Sequence, residues 1–95
     1  MKIKGELYAK MEKIMREGVA HIVEYNSFDT PKEIAEAYAN VGLTRDRMLW
    51  DCWHSAQNHA GEGRLDMFRV YKGDSTLNDN LLATALRKIG KDLGI

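Results

Sequence analysis

Apolar residues recur along this chain at three- and four-residue spacing, the period that lines side chains up on one face of an α-helix. Between Ile3 and Tyr25 the stripe is Leu7, Met11, Ile14, Met15, Val19 and Ile22, which predicts a first helix. Gly18 falls inside that stripe. A glycine there costs roughly 1 kcal/mol in helix propensity relative to alanine, or lets a second backbone come close. A close helix crossing at Gly18 is the favoured expectation.

Asn26, Ser27 and Asp29 form a turn, and Thr30, Pro31 and Glu33 then spell a helix start: a capping hydroxyl, a proline at the first helical position and a carboxylate reaching back. The second helix begins at Pro31, has Ile34, Ala35, Tyr38 and Val41 on its apolar side, and stops at Gly42, where a left-handed residue commonly ends a helix. Thr44 caps a third helix, with Asp46 in its first turn, that runs through Met48, Leu49, Cys52, Trp53 and Ala56 towards Ala60. Gly61, Glu62 and Gly63 end it.

Residues 64 to 72 are ambiguous, since Phe68 and Tyr71 fit a helical period while Met67, Phe68, Val70 and Tyr71 also suit a short strand. A helix is favoured, because no second strand-like segment is there to pair with it. Thr76 or Asn78 caps a last helix with the face Leu82, Ala85, Leu86, Ile89 and Leu93, and Arg87, Lys88 and Lys91 suit the dipole at its end. The pattern predicts an all-α fold, a compact bundle of four or five short helices in a single domain, 1–95.

Size and charge narrow the function classes. With 95 residues the core is modest, so a partner or a second copy of the chain would add to its stability, and homo-oligomerisation stays open. Fourteen basic and fourteen acidic side chains cancel, so no global positive field favours nucleic acid. A local basic patch remains compatible with that balance. Cys52 is the only cysteine, which suits a reducing compartment, and neither a membrane span nor a hydrophobic signal core is visible. The expected location is the host cell's cytoplasm.

The third helix carries both tryptophans. At about 100° per residue, Leu49, Cys52, Trp53, Ala56 and Ala60 share one arc, whereas Trp50 falls outside it, among Asp46, Arg47, His54 and Gln57. The plainer expectation is that another segment, such as residues 65 to 71, covers and buries Trp50. The sharper one is that Trp50 stays partly exposed and, flanked by Arg47, anchors a protein interface, because Trp and Arg dominate binding hot spots. His54 and Gln57 complete that candidate partner-binding face.

Catalytic and metal readings fare poorly. Cys52 and His54 point about 200° apart on a helix, and His54 to His59 is a five-residue step where metal-binding helical pairs use three or four. Asp51 with His54 supplies only two ligands. His21, beside Tyr25, reads as a half-buried histidine at the edge of the first stripe. Cys52 faces the core, no nucleophile elbow surrounds Ser55 or Ser75, and no glycine loop is placed to cradle phosphate. A non-enzymatic protein without metal or cofactor is expected.

Two resemblances add to this. The phrase TPKEIAEAYANVGLTRDRM resembles the helix-turn-helix of bacterial regulators that read "EIAERLGLS", which implies DNA contacts from Arg45 and Arg47. It departs from that pattern at Tyr38, where a small residue is usual, at Asp51, where an apolar one is usual, and in the longer first helix. An ordinary helical hairpin is the plainer reading. RDRMLWDCWHSA, followed by LNDNLLATALRKI, resembles small accessory proteins of bacteriophages and prophages, over about half of the chain. Arg47, Trp50 and Asp51 stand at a shorter spacing than in some relatives, and Leu81 and Leu82 replace a common His-Ile pair. That resemblance implies a helical phage product that acts inside the bacterium by binding a host protein, such as an enzyme or a defence component that it inhibits.

Overall fold

The structure is a computed structural model that describes the backbone of residues 5–59 and 79–95 and the side chains of 5–56 and 80–95. The ambiguous segment 64 to 72, the stop at Gly61 to Gly63, Ala60, and the caps Thr76 and Asn78 all lie outside it. Among the described residues there are four helices and no strand: α1 (Gly5–Tyr25), α2 (Lys32–Asn40), α3 (Arg45–His59) and α4 (Asp79–Asp92). The fold is all-α.

Helix α3 is central, with α1 packed along it as the largest interface and α2 and α4 against other parts of it. The buried cluster draws Met11, Ile14, Met15 and Val19 from α1, Ile34 from α2, Met48, Leu49, Cys52, Trp53 and Ala56 from α3, and Leu82, Ala85, Leu86 and Ile89 from α4. These are the stripes that the periodicity marks out. Gly18 is where α1 meets α3: a Cβ added there would lie 2.0 Å from the Cys52 carbonyl oxygen and 3.2 Å from the Ala56 nitrogen. The missing side chain is what lets the two backbones touch.

The helix ends explain how a short chain turns so tightly. After α2, Gly42 has a φ of 75°, its N–H bonds to the Ala39 carbonyl and the Leu43 N–H to that of Tyr38, so two orphan carbonyls are satisfied. The same pair of bonds closes α1 through Ser27 and Phe28, with Ser27 at a φ of 56° although it is not glycine. It closes α4 through Gly94 and Ile95. At the start of α3 the Thr44 hydroxyl accepts the Arg47 N–H at 3.1 Å, the cap that the sequence specifies.

Two details of α2 differ from the reading of its sequence. Pro31 occupies the capping position, so the helix starts one residue later, and no side chain caps it. The carbonyls of Thr30 and Pro31 instead accept from Glu33 and Ile34 in tight backbone turns, while the Glu33 carboxylate accepts from the Asp29 N–H at 3.3 Å. Val41 is 70% exposed and does not extend the apolar side, because at φ −102° and ψ 12° it already belongs to the turn.

Candidate functional site

The arithmetic of α3 sends its two tryptophans in opposite directions. Trp53 is completely buried. Trp50 is 41% exposed, so the expectation that it would be covered gives way to the one that leaves it at the surface. One edge of its indole rests against His54, with ring centroids 4.6 Å apart at 61°. Contacts of this kind add about 0.5–1.5 kcal/mol beyond area burial and fix the ring's orientation. His54 Nε2 is shielded from solvent without a hydrogen-bond partner among the described residues. Gln57 continues the same helix, but its side chain lies outside the described ones.

Beside Trp50 runs a polar chain that ties α2 to α3. The Tyr38 hydroxyl donates to Asp51 Oδ2 at 2.6 Å, and Arg47 Nε donates to both carboxylate oxygens of Asp51 at 3.2 and 3.3 Å. Burial, reinforced by the hydrogen bond to Asp51, pushes the Tyr38 phenol above its ordinary range and keeps it a donor at neutral pH. The two residues that depart from the helix-turn-helix pattern are therefore each other's partners. The Arg47–Asp51 pair itself is largely solvated and contributes only a few tenths of a kcal/mol, so its role is to set the direction of the arginine.

Arg45, the other candidate DNA contact, turns away from this face. Its Nε donates to the Ile95 carbonyl and its Nη2 to the Arg87 carbonyl, both at 3.1 Å, which staples the start of α3 to the end of α4. Next to it, Arg87 grips Asp46 through bonds of 3.0 and 2.7 Å. The Arg87 hydrogen bond is the main reason that the Asp46 carboxyl is held below its usual range. Arg45 and Arg47 thus occupy different sides of α3, each bound within the chain.

Among the described residues, neither an accessible thiol nor a metal cluster accompanies this face. Cys52 is buried, and desolvation, helped by the charge of Asp51, pushes its thiol up to about 12, far from the thiolate that a nucleophile needs. Among the described residues no group of three or more His, Cys, Asp or Glu side chains is placed to hold a metal ion. No helix among them is long and apolar enough to cross a membrane. His21 stacks on Tyr25 at 6.3 Å, with Tyr25 almost wholly exposed.

Two links and one exposure escaped the sequence reading: Tyr38 to Asp51, Arg45 to the end of α4, and the exposure of Val41 and Leu43. Only the first left a signal. Two misfits in one motif, a phenol and a carboxylate, are chemically complementary and can satisfy one another. Comparison with known protein families, curated proteins and solved structures finds no match for this chain.

Proposed function

We propose that this chain is a non-enzymatic protein-binding module of phage type, acting in the bacterial cytoplasm on a host protein, with inhibition of an enzyme or defence component as its effect. Trp50 is the anchor. The carrying observation is that Trp50 stays 41% exposed while Trp53, on the same helix, is fully buried. His54 packs against its indole at 4.6 Å, Arg47 stands one turn before it on α3, and Gln57 follows along the helix.

Other features support a contact surface on this hairpin. Of the four large apolar side chains exposed among the described residues, Val41, Leu43 and Trp50 all belong to the α2–α3 segment. Contiguous exposed apolar surface marks interaction sites, whereas single exposed apolar side chains are normal. Aromatic anchors with an orienting arginine are the usual content of a binding hot spot. The phage assignment rests on the sequence resemblance alone.

Sequence-specific DNA reading by α3 is the weaker alternative. It needs Arg45 and Arg47 free at the amino end of α3, and both are engaged elsewhere in the chain. The test is capture from bacterial lysate with the tagged chain and its Trp50→Ala variant, read by mass spectrometry beside melting curves of both. A captured protein that the variant loses while its melting temperature holds supports the proposal. Undiminished capture, or a variant that unfolds, defeats it.

A further inference from the structure

The longest run of exposed positions among the described residues is 39–47, which takes in the end of α2, the turn after it and the first residues of α3. Its first six positions, 39–44, carry no charged side chain, in a chain where 29% of residues are charged. Within them Val41 is 70% exposed and Leu43 43%. Protein surfaces ordinarily interleave charges at about 25–35% of positions, whereas the centres of interfaces are depleted in them.

The turn is held in one shape. The Val41 and Leu43 N–H groups donate to the Tyr38 carbonyl and the Gly42 N–H to that of Ala39, with Gly42 at a φ of 75°. A surface ordered before binding loses less entropy on association. At the amino end of α3 the Arg47 N–H, a donor that an anion would otherwise use, is taken by the Thr44 hydroxyl. Each ionic group between the turn and Trp50 also has a partner within the chain. Arg45 lies against the carbonyls of Arg87 and Ile95, Asp46 is gripped by Arg87, and Arg47 bonds to Asp51. An acidic, basic or nucleic-acid occupant would have to compete with these bonds, while an uncharged one leaves them as they are.

We propose that the turn 39–44 and Trp50 together dock an apolar, uncharged segment of a partner protein. Trp50 follows Thr44 by about 9 Å along α3, at 1.5 Å per residue, so one short segment spans both. The inference rests on the reading of this hairpin as a protein-binding surface, extends it from Trp50 to the turn and adds the chemistry of the occupant. Contact without net ionic attraction is nearly independent of salt, whereas phosphate contacts weaken steeply as salt rises.

A displayed library of random peptides of about twelve residues, long enough at roughly 3.3 Å each to cross the site, is selected on the immobilised chain. The peptides recovered should be rich in apolar residues with a net charge near zero. In fluorescence anisotropy their affinity should change by less than about two-fold between roughly 50 and 500 mM salt. Val41→Asp and, separately, Leu43→Asp should weaken them about ten-fold or more with the melting curve unchanged, because the new carboxylate would be buried without a partner. Ala20→Asp, on an exposed position of α1, should bind them as the wild type does. Recovery of acidic or basic peptides, no recovery at all, or peptides that both turn variants bind as tightly as the wild type overturns the proposal. In that last case a loss on Trp50→Ala would leave the reading of Trp50 as an anchor standing. Sedimentation equilibrium that shows a dimer dissociated by Val41→Asp also overturns it, by assigning the turn to a second copy of the chain.

Discussion

Replacing Gly18 by alanine adds one methyl group where the backbones of α1 and α3 meet. Its carbon would sit 2.0 Å from the Cys52 carbonyl oxygen and 3.0 Å from the carbonyl carbon, where ordinary contact begins near 3.4 Å. The obstacle is backbone, which has no rotamer to change. Helices α1 and α3 would have to separate by up to 1.4 Å, the difference between 3.4 and 2.0, and the largest interface among the described helices would loosen along its length.

Overpacking of this kind costs about 1–3 kcal/mol and more where backbone must move, while alanine returns roughly 1 kcal/mol of helix propensity. A net loss of about 1–2 kcal/mol follows, which for a domain of this size lowers the melting temperature by roughly 5–15 °C. Thermal and urea unfolding followed by far-ultraviolet circular dichroism measures it. Gly5→Ala is the control, since nothing lies within 4 Å of its added carbon, and it should melt like the wild type or slightly higher. If Gly18→Ala is as stable as the wild type, the helices do not cross where the structure places them.

Ser27→Gly should raise stability by about 0.5–1 kcal/mol in the same unfolding assay, because Ser27 holds a left-handed φ of 56° that glycine adopts without penalty; no gain would mean that the turn after α1 is shaped otherwise. Cys52 should resist thiol reagents at mildly alkaline pH and react only as fast as the protein opens, and prompt reaction of the folded chain would contradict its burial. Because the folded thiol titrates above the unfolded one, its contribution to stability is whole below the ordinary thiol range and is lost as pH rises from there towards about 12. Tyr38→Phe should lose about 1 kcal/mol by removing a 2.6 Å bond to a carboxylate that keeps Arg47 and some water; an unchanged urea midpoint would show that the link does not tie α2 to α3.

Much of this fold is legible in spacing alone. The stripes of α1 and α4, the inward arc of α3, the Thr44 cap and the Gly42 stop all follow from local rules, where a residue and its partner lie within one or two helical turns. What escapes is long-range or conformational. Tyr38 finds Asp51 across 13 positions, and Arg45 finds Ile95 across 50, pairings that no helical period encodes. Val41 fits the apolar period of α2, yet the chain leaves the helix before reaching it.

The candidate site divides in the same way. That Trp50 departs from the core arc is arithmetic, but whether anything covers it depends on elements far along the chain. Arg45 and Arg47 look equivalent in sequence, two residues apart at a helix start. Their 200° separation sends one to α4 and the other to Asp51.

The central claim is that Trp50 is a free anchor while Trp53 is core. Fluorine NMR of the chain labelled with fluorotryptophan gives one resonance for each, assigned with Trp50→Phe, and is read with a soluble paramagnet and then with the protein captured from lysate. The Trp50 signal should broaden with the paramagnet and shift on binding the captured protein, while that of Trp53 stays unchanged. A Trp50 signal that is shielded in the free chain, or unmoved by the partner, contradicts the account.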